Sequence, residues 1–310
     1  MHNELKKFYT ATLFSHVFRE RIEQMIPDAD AFFAAEQEWK SIRANTLKIS
    51  REELLERLQA KYEIKEMPWY ENGFFIIGED IAKNMEYYLG YYHIQEAASM
   101  LPPLVMEIER KDFVIDLCAA PGSKTTQLAM MMENSGVIIA NDISISRIRA
   151  LTHNIQKAGA ANCIITNYDA RYFDKTGLKA DKILLDAPCT ASGKIIKNKK
   201  MIEKWKYWRV KKMARLQKAL IKAACNCLTK DGILVYSTCS VEPEENEEVI
   251  DYALQRFDIE VEKIELKEIK TRHGIKEWNG KKFEWATKAI RIWPQDNNTE
   301  GFFICRLRKC

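Results

Sequence analysis

The sequence predicts an α/β protein, with a doubly wound, mostly parallel sheet over residues 106–310 and a small α+β domain over residues 1–105. Three observations predict it. Beyond residue 112, short and almost continuously apolar segments alternate with helix-length ones, the pattern of a parallel sheet covered on both faces. The carboxyl ends of those segments carry polar and reactive residues, where such a sheet binds ligands. Before residue 105 the periodicity is instead mixed. A chain of 310 residues is long enough for both parts to bury a core.

In chain order, Phe14, Phe18, Ile22 and Met25–Ile26 recur at helical spacing. Ile42–Ile49 and Gly73–Ile77 read as strands. Between them Ser50 and Glu53 form a capping box that opens a helix through Leu54, Leu55 and Leu58. In the larger part the strands are Phe113–Leu117, Val137–Ala140, Cys163–Thr166, Lys182–Leu185 and Ile233–Tyr236. Helices are expected over 123–133, 144–158, 201–228 and 244–256. There is no internal repeat and no low-complexity linker.

Composition excludes several classes. With 46% hydrophobic and 30% charged residues and only 12 Gly and 8 Pro, the chain is neither disordered nor fibrous. Its longest apolar runs, such as Phe74–Ile77 and Val137–Ala140, are far shorter than a membrane span. The polar start Met1–Lys7 leads into no signal-peptide core. The 8 cysteines spread from Cys118 to Cys310, unlike a disulfide framework. The expectation is a monomer in the reducing cytoplasm, with no membrane partner. No metal is expected either, because there is no C-x-x-C pair and Cys225 and Cys227 are two apart on a helix, facing different ways.

The net charge of +4 is small, but its distribution is uneven. From Lys194 to Lys218 there are nine Lys and two Arg against one acid, Glu203, a net of +10 that leaves −6 for the rest of the chain. Such a stretch suits a polyanion, because each cation can neutralise a phosphate and release counterions. Trp205, Tyr207 and Trp208 interleave with it and could stack on unpaired bases. A solvated Lys-rich helix whose aromatics face the core reads equally well.

The loop after the first large-domain strand is Cys118-Ala119-Ala120-Pro121-Gly122-Ser123-Lys124-Thr125. With a single Gly it is neither a dinucleotide fingerprint nor a P-loop, though a small-residue turn still lets a ligand approach the backbone. Asp142 follows the second strand about twenty residues after the turn, where an acid can accept from ribose hydroxyls. Asp169 follows the third strand, placed to accept from an adenine amino group. Each acid alone reads more simply as a cap or a solvated turn residue. Together, and without a phosphate cradle, they point to an adenosyl ligand, S-adenosylmethionine.

Cys189 and Cys239 lie at two further strand ends. A lone buried thiol needs no function, but two beside a methyl donor match the chemistry of cytosine C5 methylation. That carbon is not nucleophilic until a thiolate adds at C6, an acid near N3 takes up the developing charge, and a second thiol can assist release. Asp186 sits three residues before Cys189.

These motifs resemble those of the Nop/Sun (Sun/Fmu-type) family of RNA 5-methylcytosine methyltransferases, over nearly the whole chain. Cys118–Thr125 resembles the cofactor loop, with Ser123 where Gly is usual. Leu184-Leu185-Asp186-Ala187-Pro188-Cys189-Thr190 and the run from Tyr236 through Cys239 to Glu247 are long matches. Arg291–Pro294 with Thr299–Phe303, and Ile42–Lys48, resemble the C-terminal and N-terminal motifs. The resemblance implies a seven-stranded, Rossmann-like, class I S-adenosylmethionine-dependent methyltransferase sheet behind a small RNA-recognition-like domain. It implies Cys239 as nucleophile, Cys189 as the thiol that helps release product, and Asp186 as the acid near cofactor and cytosine. It implies cofactor contacts from Cys118, Ala119, Ala120, Pro121, Gly122, Ser123, Lys124, Asp142, Arg147, Asp169 and Asp186; Lys is also common at the position of Arg147. RNA contacts are expected from Lys199, Lys200, Lys211 and Lys212. The short form resembles archaeal tRNA enzymes, which makes transfer RNA the first expectation and ribosomal RNA the second. A non-catalytic RNA-binding protein on the same fold is the alternative from another class, and the presence of both thiols argues against it.

Overall fold

The computed structural model describes residues 16–196, 202 and 205–310. The first element is a helix over residues 16–25 (α1), followed by α2 (Ala29–Ala34). A four-stranded antiparallel sheet comes next. It comprises β1 (Lys40–Ala44), β2 (Glu63–Glu66), β3 (Gly73–Ile77) and β4 (Tyr92–Ile94), in the order β2-β3-β1-β4. The expected strand over 42–49 is shorter than read, because after Ala44 the chain turns. The helix α3 (Arg51–Gln59) opens where Ser50 Oγ accepts from Glu53 N at 3.1 Å. It buries Leu54 and Leu58 against Ile42, Phe74, Ile76 and Tyr92. The other half of the expected capping box is not made: Glu53 pairs with Arg57 one turn on. Two one-turn helices, α4 (Met85–Tyr88) before β4 and α5 (Leu101–Leu104) after it, lead to the larger part.

The large sheet has β5 (Phe113–Asp116) at its centre. Parallel to it run β6 (Val137–Asn141) and β7 (Cys163–Thr166) on one side, and β8 (Ala180–Asp186) and β9 (Leu228–Thr238) on the other. Beyond β9 the sheet continues antiparallel with β15 (Phe302–Lys309) and β14 (Ile290–Ile292). That makes the seven strands expected. Two short strands raise the count to nine: β10 (Ile259–Glu262) pairs with β15, and β11 (Arg272–His273) extends the β14 edge. β10 arises because the C-terminal strand is long enough to offer it a ladder beyond β14, and β11 because β14 leaves its outer edge open. A separate hairpin of β12 (Glu277–Trp278) and β13 (Lys281–Lys282) lies off this sheet.

Alternation along the strands sorts side chains to two faces. Val114 and Leu184 pack under α6 (Ser123–Met131) and α7 (Ile145–Ala158) with Leu128, Leu151 and Ile155. Ile115, Ile183 and Leu185 pack under α8 (Tyr207–Cys227) and α9 (Glu247–Leu254) with Leu220, Ile221, Val249 and Ile250. Helices on both faces make the sheet doubly wound. The strand order reverses at β5, so its carboxyl end opens a crevice.

Two seams join the parts. Arg43 on β1 is buried and donates to Ser123 O and Thr126 Oγ1, both at 2.8 Å. His93 on β4 meets Ser123 Oγ at 2.9 Å, which gives the unusual Ser123 a partner. Burial, with Arg43 and Lys157 nearby, pulls His93 down to about 3, so it is neutral. The apolar stripe of α1, Phe18, Ile22 and Met25, does not cover the four-stranded sheet. It packs with Trp205, Val241, Trp278, Phe283 and Trp293.

Candidate active site

A cavity of about 1010 Å³ lies at the carboxyl ends of β5, β6, β8 and β9. The loop after β5 forms its floor. Gly122 closes this loop at φ +104°, a conformation that favours glycine, and a Cβ there would also press on Leu151 Cδ1 at 2.9 Å. Cys118, Ala119, Ala120, Pro121, Ser123 and Lys124 line the cavity, and Gly122 makes the turn behind them. Burial pushes the Cys118 thiol well up, so it acts as a neutral wall.

Asp142, 2% exposed, accepts from Ser144 N at 2.9 Å and Ala120 N at 3.3 Å, and pairs with Arg147 at 3.1 Å. It therefore fixes the loop as well as facing the cavity. Asp169 caps the following turn through Arg171 N at 3.1 Å and pairs with the Arg171 guanidinium at 2.5 Å, which holds its carboxyl below the usual range. Asp186 accepts from Lys124 Nζ at 2.7 Å and Ser237 Oγ at 2.8 Å. Asp116, which sequence does not single out as a contact, is pushed up to about 7 by burial; Thr125 Oγ1 binds one oxygen and the other is buried without a partner. A small-residue floor ringed by four carboxylates, one with an unpartnered oxygen, fits a hydroxyl-rich cationic ligand such as S-adenosylmethionine.

The thiols meet at the far side of the cavity. Cys189 Sγ and Cys239 Sγ are 3.3 Å apart, although 50 residues separate them in sequence. The hydrogen bond to Cys239 and burial push Cys189 well above its ordinary value. At neutral pH Cys189 therefore keeps its proton, 3.3 Å from the Cys239 sulfur. Lys194 lines the same wall and pairs with Glu300 at 3.4 Å. Burial pulls its ammonium down, but Cys239 and Glu300 outweigh this and hold it above normal. In the sequence Lys194 reads only as part of a basic run.

Opposite the acids, α8 contributes Lys212, Arg215, Met213 and Leu216. Lys211 points elsewhere, 4.7 Å over the Tyr207 ring. Lys199 and Lys200 lie outside the described residues. The aromatics divide. Trp205, 6% exposed, sits in the core and donates to Glu242 Oε1 at 2.7 Å, and Tyr207 OH bonds Glu244 at 3.2 Å. The expectation that all three could stack on bases is thereby corrected, since Trp208 alone of them is well exposed, at 60%. The expected helix over 201–228 is interrupted at Trp205 and Lys206, where Lys206 is extended, and α8 begins at Tyr207.

Glu245 has no role that sequence reveals, although it lies in the matching run from Tyr236 to Glu247. Its carboxylate accepts from Thr190, Gln217 and Ser240, and burial pushes it up to about 7. Among the described residues no group of three His, Cys, Asp or Glu could hold a metal ion, and no helix is long and apolar enough to cross a membrane.

Comparison with known proteins matches residues 103–308 to the family described as 16S rRNA methyltransferase RsmB/F, and residues 14–97 to the N-terminal domain of 16S rRNA methyltransferase RsmF. The chain is 45% identical over 273 residues to a tRNA (cytosine(49)-C(5))-methyltransferase of Pyrococcus abyssi, covering 87% of this chain and 88% of that protein. It is 38% identical over 305 residues to ribosomal RNA small subunit methyltransferase F of Vibrio atlanticus, covering 94% of this chain but only 63% of that protein. Among solved structures, a methyltransferase homolog from Pyrococcus horikoshii superposes with a TM-score of 0.83 at 35% identity, covering 95% of each chain. NSun6 from Pyrococcus horikoshii, solved with SFG, superposes with a TM-score of 0.84 at 27% identity, covering 94% of this chain and 97% of that one.

Proposed function

The chain belongs to the RsmB/F family of RNA cytosine-C5 methyltransferases, and on that premise we propose that it methylates C5 of a cytosine in transfer RNA through a covalent bond from Cys239 to C6. The observation that carries the mechanism is the 3.3 Å approach of the two thiols at the cavity wall. The greater share of the Pyrococcus tRNA enzyme that the chain spans favours transfer RNA, and the likeness to the Vibrio enzyme keeps ribosomal RNA as the second reading.

S-adenosylmethionine, when bound, supplies an electrophilic methyl group. Cys118 to Lys124, Asp142, Arg147, Asp169 and Asp186 would hold it. Cys239 attacks as a thiolate, because only the ionised sulfur is a competent nucleophile. Its electron pair forms the S–C6 bond, and the C5–C6 π electrons move toward N3. The charge developing there is met by the Lys124 ammonium, which Asp186 holds in place at 2.7 Å. C5 is then electron-rich. Once methylated, C5 gives its proton to solvent water, that electron pair reforms the C5–C6 double bond, and sulfur departs as thiolate. Cys189, which keeps its proton and lies 3.3 Å away, stabilises the departing sulfur as its hydrogen-bond donor. Lys194, Lys212 and Arg215 face the RNA phosphates. The enzyme acts as a cytoplasmic monomer.

The test separates the thiols. Cys239→Ala should abolish methylation and form no covalent complex with RNA. Cys189→Ala should add to cytosine and accept the methyl group, then retain the RNA as an adduct that survives denaturing electrophoresis. An adduct in Cys239→Ala instead would move the nucleophile to Cys189. Bisulfite sequencing of total RNA from cells with and without the gene identifies the RNA; a lost ribosomal site with intact transfer RNA would overturn the first choice.

A further inference from the structure

Four glutamates, Glu242, Glu244, Glu245 and Glu247, fall within six residues just after Cys239, and all four are buried. Arg21 neutralises Glu242 and Glu244, and Arg291 neutralises Glu247. Glu245 is different, because its partners are neutral donors from three separate segments. One oxygen accepts from Thr190 Oγ1 and from Ser240 Oγ at 2.9 Å. The other accepts from Thr190 N at 3.0 Å and Gln217 Nε2 at 2.9 Å. Thr190 directly follows Cys189, Ser240 directly follows Cys239, and Gln217 lies on α8. The backbone of Glu245 is itself fixed, since Tyr236 OH donates to Glu245 O at 2.5 Å.

The later part of the Cys189 loop is tied to β9 directly, through Gly193 N to Cys239 O at 2.9 Å and Ser192 Oγ to Ser240 Oγ at 3.1 Å. Before the thiol, Ala187 N donates to Ser237 O and Gln217 Nε2 to Pro188 O, both at 2.9 Å. At Thr190, just after it, the hydroxyl meets Ser240 Oγ at 3.3 Å, and the backbone N–H is held by Glu245. A carboxylate has acceptor sites for all four donors at once, which no other side chain of this size offers. Burying it without a cation is costly, so the four donors it joins are what hold it there.

We propose that Glu245 is the positioning residue that sets Cys189 against Cys239, and that it thereby governs release of the methylated RNA rather than addition to the base. The inference rests on the assignment of Cys239 as nucleophile and Cys189 as the releasing thiol. Without Glu245, the turn after Cys239 keeps the bonds of Ser240 N to Thr238 Oγ1 and of Asn246 Nδ2 to Ser240 O, and the S–C6 bond still forms. The Cys189 loop loses its backbone anchor at Thr190, the thiol shifts from Cys239, and elimination slows.

The experiment uses the full chain with S-adenosylmethionine and substrate RNA. Glu245→Ala should bind cofactor normally by calorimetry, form the C6 bond at near the normal rate, and accumulate an RNA adduct during turnover. Its kcat should fall about 100-fold, the scale of an ångström-level misplacement, with a smaller change in KM. Glu245→Gln should release product normally, because its oxygen can serve Thr190 N and Gln217 while its amide donates to the two hydroxyls. A purely structural residue would instead lower cofactor binding, addition and release together, with no adduct, and that result would overturn the proposal. If Glu245→Ala does not fold, Glu245→Asp keeps the charge with a shorter reach, and the same adduct is expected. Cys189→Ala is run alongside. If it traps no adduct, the underlying assignment fails. If it traps one while the Glu245 variants release normally, only the positioning role fails.

Discussion

Asp142 is placed where one carboxylate would serve both the fold and the proposed ligand. It receives the backbone N–H of Ala120 and Ser144 and the guanidinium of Arg147, so the cofactor loop is shaped around it. It also faces the cavity, where ribose hydroxyls would donate to its remaining lone pairs. Asp142→Ala removes both functions. A hydrogen bond to a charged group contributes about 1.5–3 kcal/mol, so S-adenosylmethionine affinity should fall about 10- to 100-fold. Calorimetry on wild type and mutant checks this, and an unchanged Kd would remove Asp142 from the cofactor site. This position is legible in the sequence because an acid after the second strand has a fixed place in such sheets. Asp116 is not, because its unpartnered oxygen and its shift to about 7 come from burial under Thr125 and the neighbouring strands.

At the scale of elements, α8 divides its charges by face. Lys212 and Arg215 look into the cavity, whereas Lys211 rests on Tyr207. Charge reversal at Lys199, Lys200, Lys211 and Lys212 should weaken RNA binding and leave cofactor affinity intact. The log–log salt dependence should flatten by about 1 for each phosphate that is no longer neutralised. Taken singly, Lys212→Glu should flatten it more than Lys211→Glu, and an unchanged slope in the combined variant would make α8 a solvated face. The parallel strands are readable in sequence to within a few residues, because strands buried on both sides are continuous apolar runs. The antiparallel edge is less readable. β10 and β11 are short and take their form from pairing with β15 and β14. The inward turn of Trp205 is hidden for a similar reason: its partners Phe18 and Glu242 are remote in sequence.

Across the whole molecule, the buried acids after Cys239 are fastened by arginines from opposite ends of the chain. Arg291 holds Glu247 through two bonds, at 2.8 and 2.6 Å. Arg21, 221 residues before its partner, donates to Glu242 at 2.6 Å and to Glu244 at 2.7 Å, and lies over the rings of Tyr207 and Trp278. Helix α1 is thereby fixed to the segment that carries the proposed nucleophile. Sequence shows the amphipathic stripe of α1 but not which cluster it covers, because that depends on how the whole chain closes on itself. Arg21→Ala leaves Glu242, fully buried, and Glu244 without their cation. Breaking a buried pair in this way costs about 3–5 kcal/mol, to be read from urea unfolding near neutral pH. The size of the loss should depend on pH. Burial already raises Glu242 in the folded protein, while Arg21 opposes the rise. Removing Arg21 raises it further, so the mutant folds best with Glu242 protonated and loses stability as pH rises through the raised value. The gap between mutant and wild type should therefore be smaller at pH about 5 than at pH about 8, the window in which an unfolded glutamate is already ionised. An equal gap at both values would mean that Arg21 stabilises the protein through its ring contacts and apolar stem rather than through its charge.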